Sequence, residues 1–177
     1  NPRKRAMFVL GLGLLLSHVL YSQNNTKATT PSQPNIVVGM MVDQMRWDFL
    51  YRYQNRYTEG GFKRLLREGF SCENTLIDYS PTITACGHTC VYTGSTPAIH
   101  GIIGNDWYDR KTGKDIGCVN DDSTMTVGAE KNGRGQSPHN NLSTTITDQL
   151  RIASNYQSKT VGIAIKDRAA ILPAGHA

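Results

Sequence analysis

Two short apolar runs constrain the fold of this chain more than any other feature. Residues 35–42 read Asn-Ile-Val-Val-Gly-Met-Met-Val, and residues 159–165 read Lys-Thr-Val-Gly-Ile-Ala-Ile. Neither alternates apolar and polar positions, which is the pattern of a strand buried on both faces of a parallel sheet. Each ends on charge: Asp43 follows the first, and Lys166 and Arg168 follow the second. Between them, residues 45–53, 61–68, 84–92 and 143–153 have helical spacing, and 71–78 reads as another strand. Strand–helix–strand alternation predicts an α/β fold, a mostly parallel central sheet flanked by helices. In such sheets ligands sit beyond the carboxyl ends of strands. The edge carrying Asp43, Lys166 and Arg168 is therefore the expected active face.

Local signals refine this frame. Phe62, Leu65 and Leu66 would share one helix face, and Gly69 is a helix stop. Residues 101–120, with Thr112-Gly113-Lys114 and repeated Gly, read as a hairpin excursion. Residues 121–141 are rich in Gly, Asn, Asp and Ser and read as a loop.

The first 22 residues read as a secretory signal peptide. Arg3, Lys4 and Arg5 form a basic start, residues 6–20 an apolar stretch, and Ser22 suits cleavage. The apolar stretch is short beside the roughly 20 residues of a spanning helix, so the mature chain is expected to carry no membrane span. Residues 23–34 are polar and read as a flexible lead-in. These features predict a periplasmic or secreted protein.

The formal net charge of +5 comes from 19 basic and 14 acidic residues. Removing the three leader cations leaves 16 against 14, or +2. No basic stripe interleaved with aromatics remains, which argues against nucleic-acid binding. Export permits disulfides, and Cys72, Cys86, Cys90 and Cys118 allow three pairings. Cys86 and Cys90 lie one helical turn apart and could pair or simply pack. The chain lacks the two close Cys-x-x-Cys pairs of a zinc knot.

The chemistry concentrates in residues 78–105. Thr84 stands where a loop turns into a helix, and a helix start offers unpaired N–H groups and a positive dipole end to an anion. Ser80, Thr82 or Thr84 could each cap that helix instead. A threonine hydroxyl needs a base or a metal to become a nucleophile, and Asp43 at a strand end could help hold such a metal. Asp43 could equally be a helix cap. Asn105, after Gly101-Ile102-Ile103-Gly104, could donate to a phosphoryl oxygen or serve as a left-handed turn residue. Lys166 and Arg168 would point the same way if strand geometry persisted, and could clamp a phosphate. His88 and His100 are possible bases or loop-orienting groups.

The combination Pro81-Thr82-Ile83-Thr84-Ala85-Cys86-Gly87-His88, Thr93-Gly94 and His100-Gly101-Ile102-Ile103-Gly104-Asn105 resembles the nucleophile region of the alkaline phosphatase superfamily. The similarity is to its nucleotide pyrophosphatase/phosphodiesterase-like branch, and most of all to the bacterial periplasmic PafA-type phosphatases. It runs from about Asn35 to His176. The resemblance implies that residues 35–177 form the N-terminal part of an alkaline-phosphatase-like catalytic domain. It implies Thr84 as nucleophile and zinc contact, Asp43 as a zinc ligand, and Asn105, Lys166 and Arg168 as contacts to phosphate oxygens. It also implies two zinc ions, small phosphorylated substrates and a phosphothreonine intermediate. The remaining Asp and His ligands of the family lie far downstream of the matching region. Two zinc sites are therefore not expected from residues 1–177 alone. The Lys166–Arg168 pair favours monoesters. A phosphodiesterase or nucleotide pyrophosphatase of the same superfamily, and an inactive partial binding module, are the alternatives.

Overall fold

The computed structural model describes residues 34–128 and 135–177. The expected signal peptide, all of the lead-in but Pro34, and the middle of the 121–141 loop lie outside the described residues. The chain divides into two units, Asn1–Met40 and Met41–Ala177. In the first, residues 36–40 join no helix or ladder, and Ile36, Val37, Val38 and Met40 are exposed.

The second unit runs through α1 (Phe49–Arg52), a 3-10 turn (Gln54–Arg56), α2 (Phe62–Glu68), α3 (Thr84–Thr93) and α4 (Pro97–His100). A hairpin of β1 (Asp106–Asp109) and β2 (Lys114–Gly117) follows, then α5 (Ile146–Ala153) and α6 (Asp167–Ala174). Each boundary has a local cause. Helix α3 stops at Gly94, whose φ of 64° is left-handed and suits a residue without Cβ. The hairpin pairs Trp107 with Ile116 and Tyr108 with Asp115. Its turn is tied by Asp109, whose carboxylate accepts from the Lys111 and Thr112 N–H groups and the Thr112 hydroxyl. Helix α5 opens with a capping box: the Thr145 hydroxyl accepts from Asp148 N–H, and the Asp148 carboxylate accepts from Thr145 N–H.

The core lies where α3 meets α6. Ala85, Ile102, Cys118, Val119 and Leu172 form one buried cluster, with Trp107 and Ile171 packed against it. Helices α4 and α5 also pack on α3. The face of α3 that enters the core carries small residues, Ala85, Cys86 and Thr89, so the neighbouring backbone can come close. All four cysteines are free thiols, with Cys86 and Cys118 buried. No described helix is long and apolar enough to cross a membrane.

The architecture is α/β, helices with a small sheet, but several expected elements differ in detail. Among the described residues the only ladder is the antiparallel β1–β2 hairpin, with an isolated bridge from Asn120 to Gln136. Residues 71–78 and 159–165 make no ladder there, and Val161, Ile163 and Ile165 face solvent. The apolar pattern records what such a segment needs, whereas a strand exists only once a neighbour takes its backbone groups. The helix expected over 45–53 contracts to Phe49–Arg52, and Leu65 of α2 is exposed rather than part of a buried face. The chain does not continue as a strand past residue 165: it turns helical at Asp167, with Lys166 as the N-cap residue.

Candidate active site

Thr84 is the first residue of α3, and Ile83, not Thr84, occupies the N-cap position with no side-chain cap bond. The hydroxyl is therefore free of the capping role that threonine often takes at such a point. It donates instead to Asp43 Oδ2 at 3.3 Å. Asp43 follows the exposed Val42 in a turn whose next residue, Gln44, has a φ of 59°. It caps no helix, because α1 begins after Asp48.

Lys166 completes a triangle. Its ammonium donates to Asp43 Oδ2 at 3.1 Å and to Thr84 Oγ1 at 3.5 Å. The Asp43 and Lys166 side chains are each over a third exposed, so this cluster opens to water. The Lys166 hydrogen bond outweighs the partial desolvation of Asp43 and, with the charge of Lys166 and the Thr84 bond, holds its carboxyl below the usual 3.8. Asp43 is ionised at neutral pH.

Asn105 reaches the same helix start from another side. Its Oδ1 accepts the Ala85 N–H at 3.0 Å, satisfying one of the free donors of the first turn of α3. With the oxygen committed there, the amide NH₂ is the end left for a ligand. Asn105 is not among the described residues with positive φ, so the left-handed turn reading does not apply.

Arg168 stands apart from this group. Its Nη1 lies 3.5 Å from Asp167 Oδ1, and its Nε is buried without a hydrogen-bond partner among the described residues. Lys166 caps α6 and Arg168 sits within its first turn, so the shared direction expected from strand parity is replaced by two different environments. The histidines take the orienting roles: His88 Nδ1 donates to Thr84 O at 2.8 Å, and His100 Nδ1 accepts from Ile102 N–H at 3.1 Å.

Asp43 and Thr84 present two oxygens on one side, a donor set that suits a hard or borderline divalent cation. They are part of a shell only, since a zinc ion takes about four ligands. Among the described residues no three His, Cys, Asp or Glu groups gather to hold a metal.

Asp148 went unread in the sequence. Its buried carboxylate accepts from Thr145, His176 and Ala177 N–H groups and faces His176 Nδ1 at 3.2 Å. Burial would raise its pKa, but these bonds prevail and set it at about 2. Thr147 adds a bond from its hydroxyl to Pro173 O at 2.6 Å. This knot joins the start of α5 to the end of α6, and so fixes the helix that carries Lys166. The Thr145-x-x-Asp148 spacing is a helix-start signal that could have flagged half of it.

The sequence profile of the family described as "Type I phosphodiesterase / nucleotide pyrophosphatase" matches residues 37–164. The chain belongs to that family. The match takes in Asp43, Thr84 and Asn105 and stops short of Lys166. Among curated relatives, the alkaline phosphatase PhoV of Synechococcus elongatus is 60% identical over 83% of this chain and 27% of its own length. The alkaline phosphatase PafA of Elizabethkingia meningoseptica is 54% identical over 99% of this chain and 31% of its own length. A Myroides odoratus protein named as a calcium-transporting ATPase is 63% identical over 81% of this chain and 26% of its own length. The chain thus spans roughly a quarter to a third of the curated relatives it matches. The crystal structure of wild-type PafA superposes with a TM-score of 0.78 at 57% identity, covering 81% of this chain and 28% of PafA. A second PafA structure, a variant with one Thr, one Asn, one Lys and one Arg replaced, gives 0.73 at 55% identity over 76% of this chain and 26% of that one. The α/β fold and the superfamily resemblance read from the motifs are thereby established.

Proposed function

We propose that this chain supplies the nucleophile arm of an exported phosphate-monoester hydrolase acting on small phosphorylated molecules. The observation that carries the reading is the triangle of Thr84 Oγ1, Asp43 Oδ2 and Lys166 Nζ, with sides of 3.3, 3.1 and 3.5 Å at the open start of α3. It brings a hydroxyl, an ionised carboxylate and an ammonium to a helix end that favours anions. The four residue types replaced in the PafA variant support the reading. Their Thr-to-Asn and Lys-to-Arg intervals equal those from Thr84 to Asn105 and from Lys166 to Arg168.

In this proposal Thr84 Oγ1 forms a bond to phosphorus as the bond to the leaving oxygen breaks, and the leaving oxygen ends as an alcohol. The product is a phosphothreonine, which water then cleaves to inorganic phosphate and free Thr84. The Asp43 carboxylate, with its lowered pKa, is a weak base for a hydroxyl proton. A divalent cation, zinc by resemblance, held in part by Asp43 and Thr84, would lower the pKa of that hydroxyl. Lys166 and the NH₂ of Asn105 donate to non-bridging oxygens, where negative charge resides. Arg168 takes the same role by resemblance, although its guanidinium here lies 3.5 Å from Asp167 and apart from the triangle.

The test is Thr84→Ala in the full-length protein with p-nitrophenyl phosphate. Turnover should fall by at least about a thousandfold, the scale for removing a covalent nucleophile. Near-wild-type turnover would sink the assignment. The family description favours a second reading, a phosphodiesterase. Lys166→Ala with Arg168→Ala should lower the monoester-to-diester rate ratio, and a ratio that starts low and does not move selects the diesterase.

A further inference from the structure

His100 is fully buried, and its two ring nitrogens have different partners. Nδ1 faces the Ile102 N–H, which can only donate, so Nδ1 carries the lone pair and the proton sits on Nε2. Nε2 lies 3.2 Å from Cys90 Sγ on α3. Desolvation lowers the pKa of His100, which agrees with a neutral ring. These contacts close a ring. From Cys90 the link passes to His100, then through the Ile102 turn to Asn105, and back to α3 at Ala85, next to Thr84.

We propose that His100, as its neutral Nε2–H tautomer bonded to Cys90, is a positioning residue that holds the 101–105 loop so that Asn105 stays docked beside Thr84. The inference rests on the phosphatase reading for its catalytic consequence but not for its geometry. Cys90 is the anchor on α3, and the thiol serves as a hydrogen-bond acceptor rather than as a disulfide or metal partner. His100→Asn keeps an acceptor for the i+2 N–H but cannot reach Cys90. His100→Gln keeps the reach and loses the turn acceptor. Cys90→Ala removes the anchor with a small volume change, and Cys90→Ser restores an acceptor.

The experiment pairs hydrogen exchange at Ala85 N–H with kinetics in the full-length protein. His100→Asn and Cys90→Ala should speed exchange at Ala85 by at least about tenfold, while amides in the second half of α3 keep their rates. They should also lower kcat/KM for p-nitrophenyl phosphate and weaken inhibition by inorganic phosphate by about tenfold, as small misplacements do. Cys90→Ser should recover part of both. Unchanged Ala85 exchange in both variants overturns the proposal, and so does equal loss of protection along the whole of α3. Faster Ala85 exchange in a protein whose wild type has no phosphatase activity keeps the positioning role and rejects the functional reading.

Discussion

Leu172 and Ile163 lie on either side of Lys166 and experience opposite environments. Leu172, on α6, is fully buried against α3, whereas Ile163 is 90% exposed on the irregular segment before it. The two aliphatic side chains have nearly the same appetite for burial, worth roughly 1.5–3 kcal/mol each when satisfied. What separates them is the backbone. A helix fulfils its own hydrogen bonds and needs only one face covered, while an extended segment needs neighbours for its backbone as well as its side chains. The site reflects this difference: Thr84 and Lys166 hang on the α3–α6 packing, and Asn105, at the end of the short hairpin, is tied to α3 through the Ala85 N–H.

The sharpest way to break this comparison is a pair of truncations. Leu172→Ala should cost about 3 kcal/mol in denaturant unfolding, the usual cost of a core cavity. Ile163→Ala should stay within about 0.5 kcal/mol, as for an exposed site. Comparable losses in the two variants would mean that residues 161–165 are covered in solution, and that the contrast is false.

The same contrast explains what could be read from the sequence. Helix α3 was legible because its signals are local: the cap-forming hydroxyls of Ser80, Thr82 and Thr84 at its start. The β1–β2 hairpin was legible from Thr112-Gly113 for the same reason. The apolar runs gave the α/β class correctly, yet their ladders depend on partners that no local pattern contains. Lys166 and Arg168 were legible as cations after a run, but their directions were not, because the turn into α6 at Asp167 depends on Leu172 docking against α3. The meeting of Asp43 with Thr84 and Lys166 was expected from the shared edge of a sheet and from the family resemblance. It is realised instead through the start of α3 and the N-cap of α6.

A second prediction sharpens the packed side of the comparison. Asp148 secures α6 against α5 by accepting three backbone N–H groups with a buried carboxylate. Asp148→Ala should cost about 2 kcal/mol, combining the loss of a helix cap with the stranding of buried donors. It should also weaken binding of inorganic phosphate, since Lys166 rides on α6. Its pKa of about 2 lies below the ordinary 3.8, so the carboxylate contributes stability that is present above about pH 4 and is lost as pH falls toward 2. In urea titrations at pH 5 and pH 2.5, the wild type should lose stability by more than Asp148→Ala does. An equal loss in both would detach Asp148 from the acid sensitivity.

The smallest expected effect belongs to the ion pair at the exposed site. Lys166 lowers the pKa of Asp43, so the pair favours the ionised, folded form above the ordinary carboxylate pKa and loses that advantage as pH drops through the lowered value. Both side chains are more than a third exposed, and an exposed pair contributes at most about 0.5 kcal/mol, less in salt. Lys166→Met should therefore leave unfolding almost unchanged. It should, however, move the Asp43 titration midpoint, followed by carboxyl NMR, up toward 3.8. The thermodynamic and titration readouts thus separate. A large loss of stability would place the pair among the structural contacts of the α3–α6 core. A shifted midpoint with unchanged stability leaves the Lys166 ammonium free for the chemistry of the site, beside the Asp43 carboxylate and the Thr84 hydroxyl.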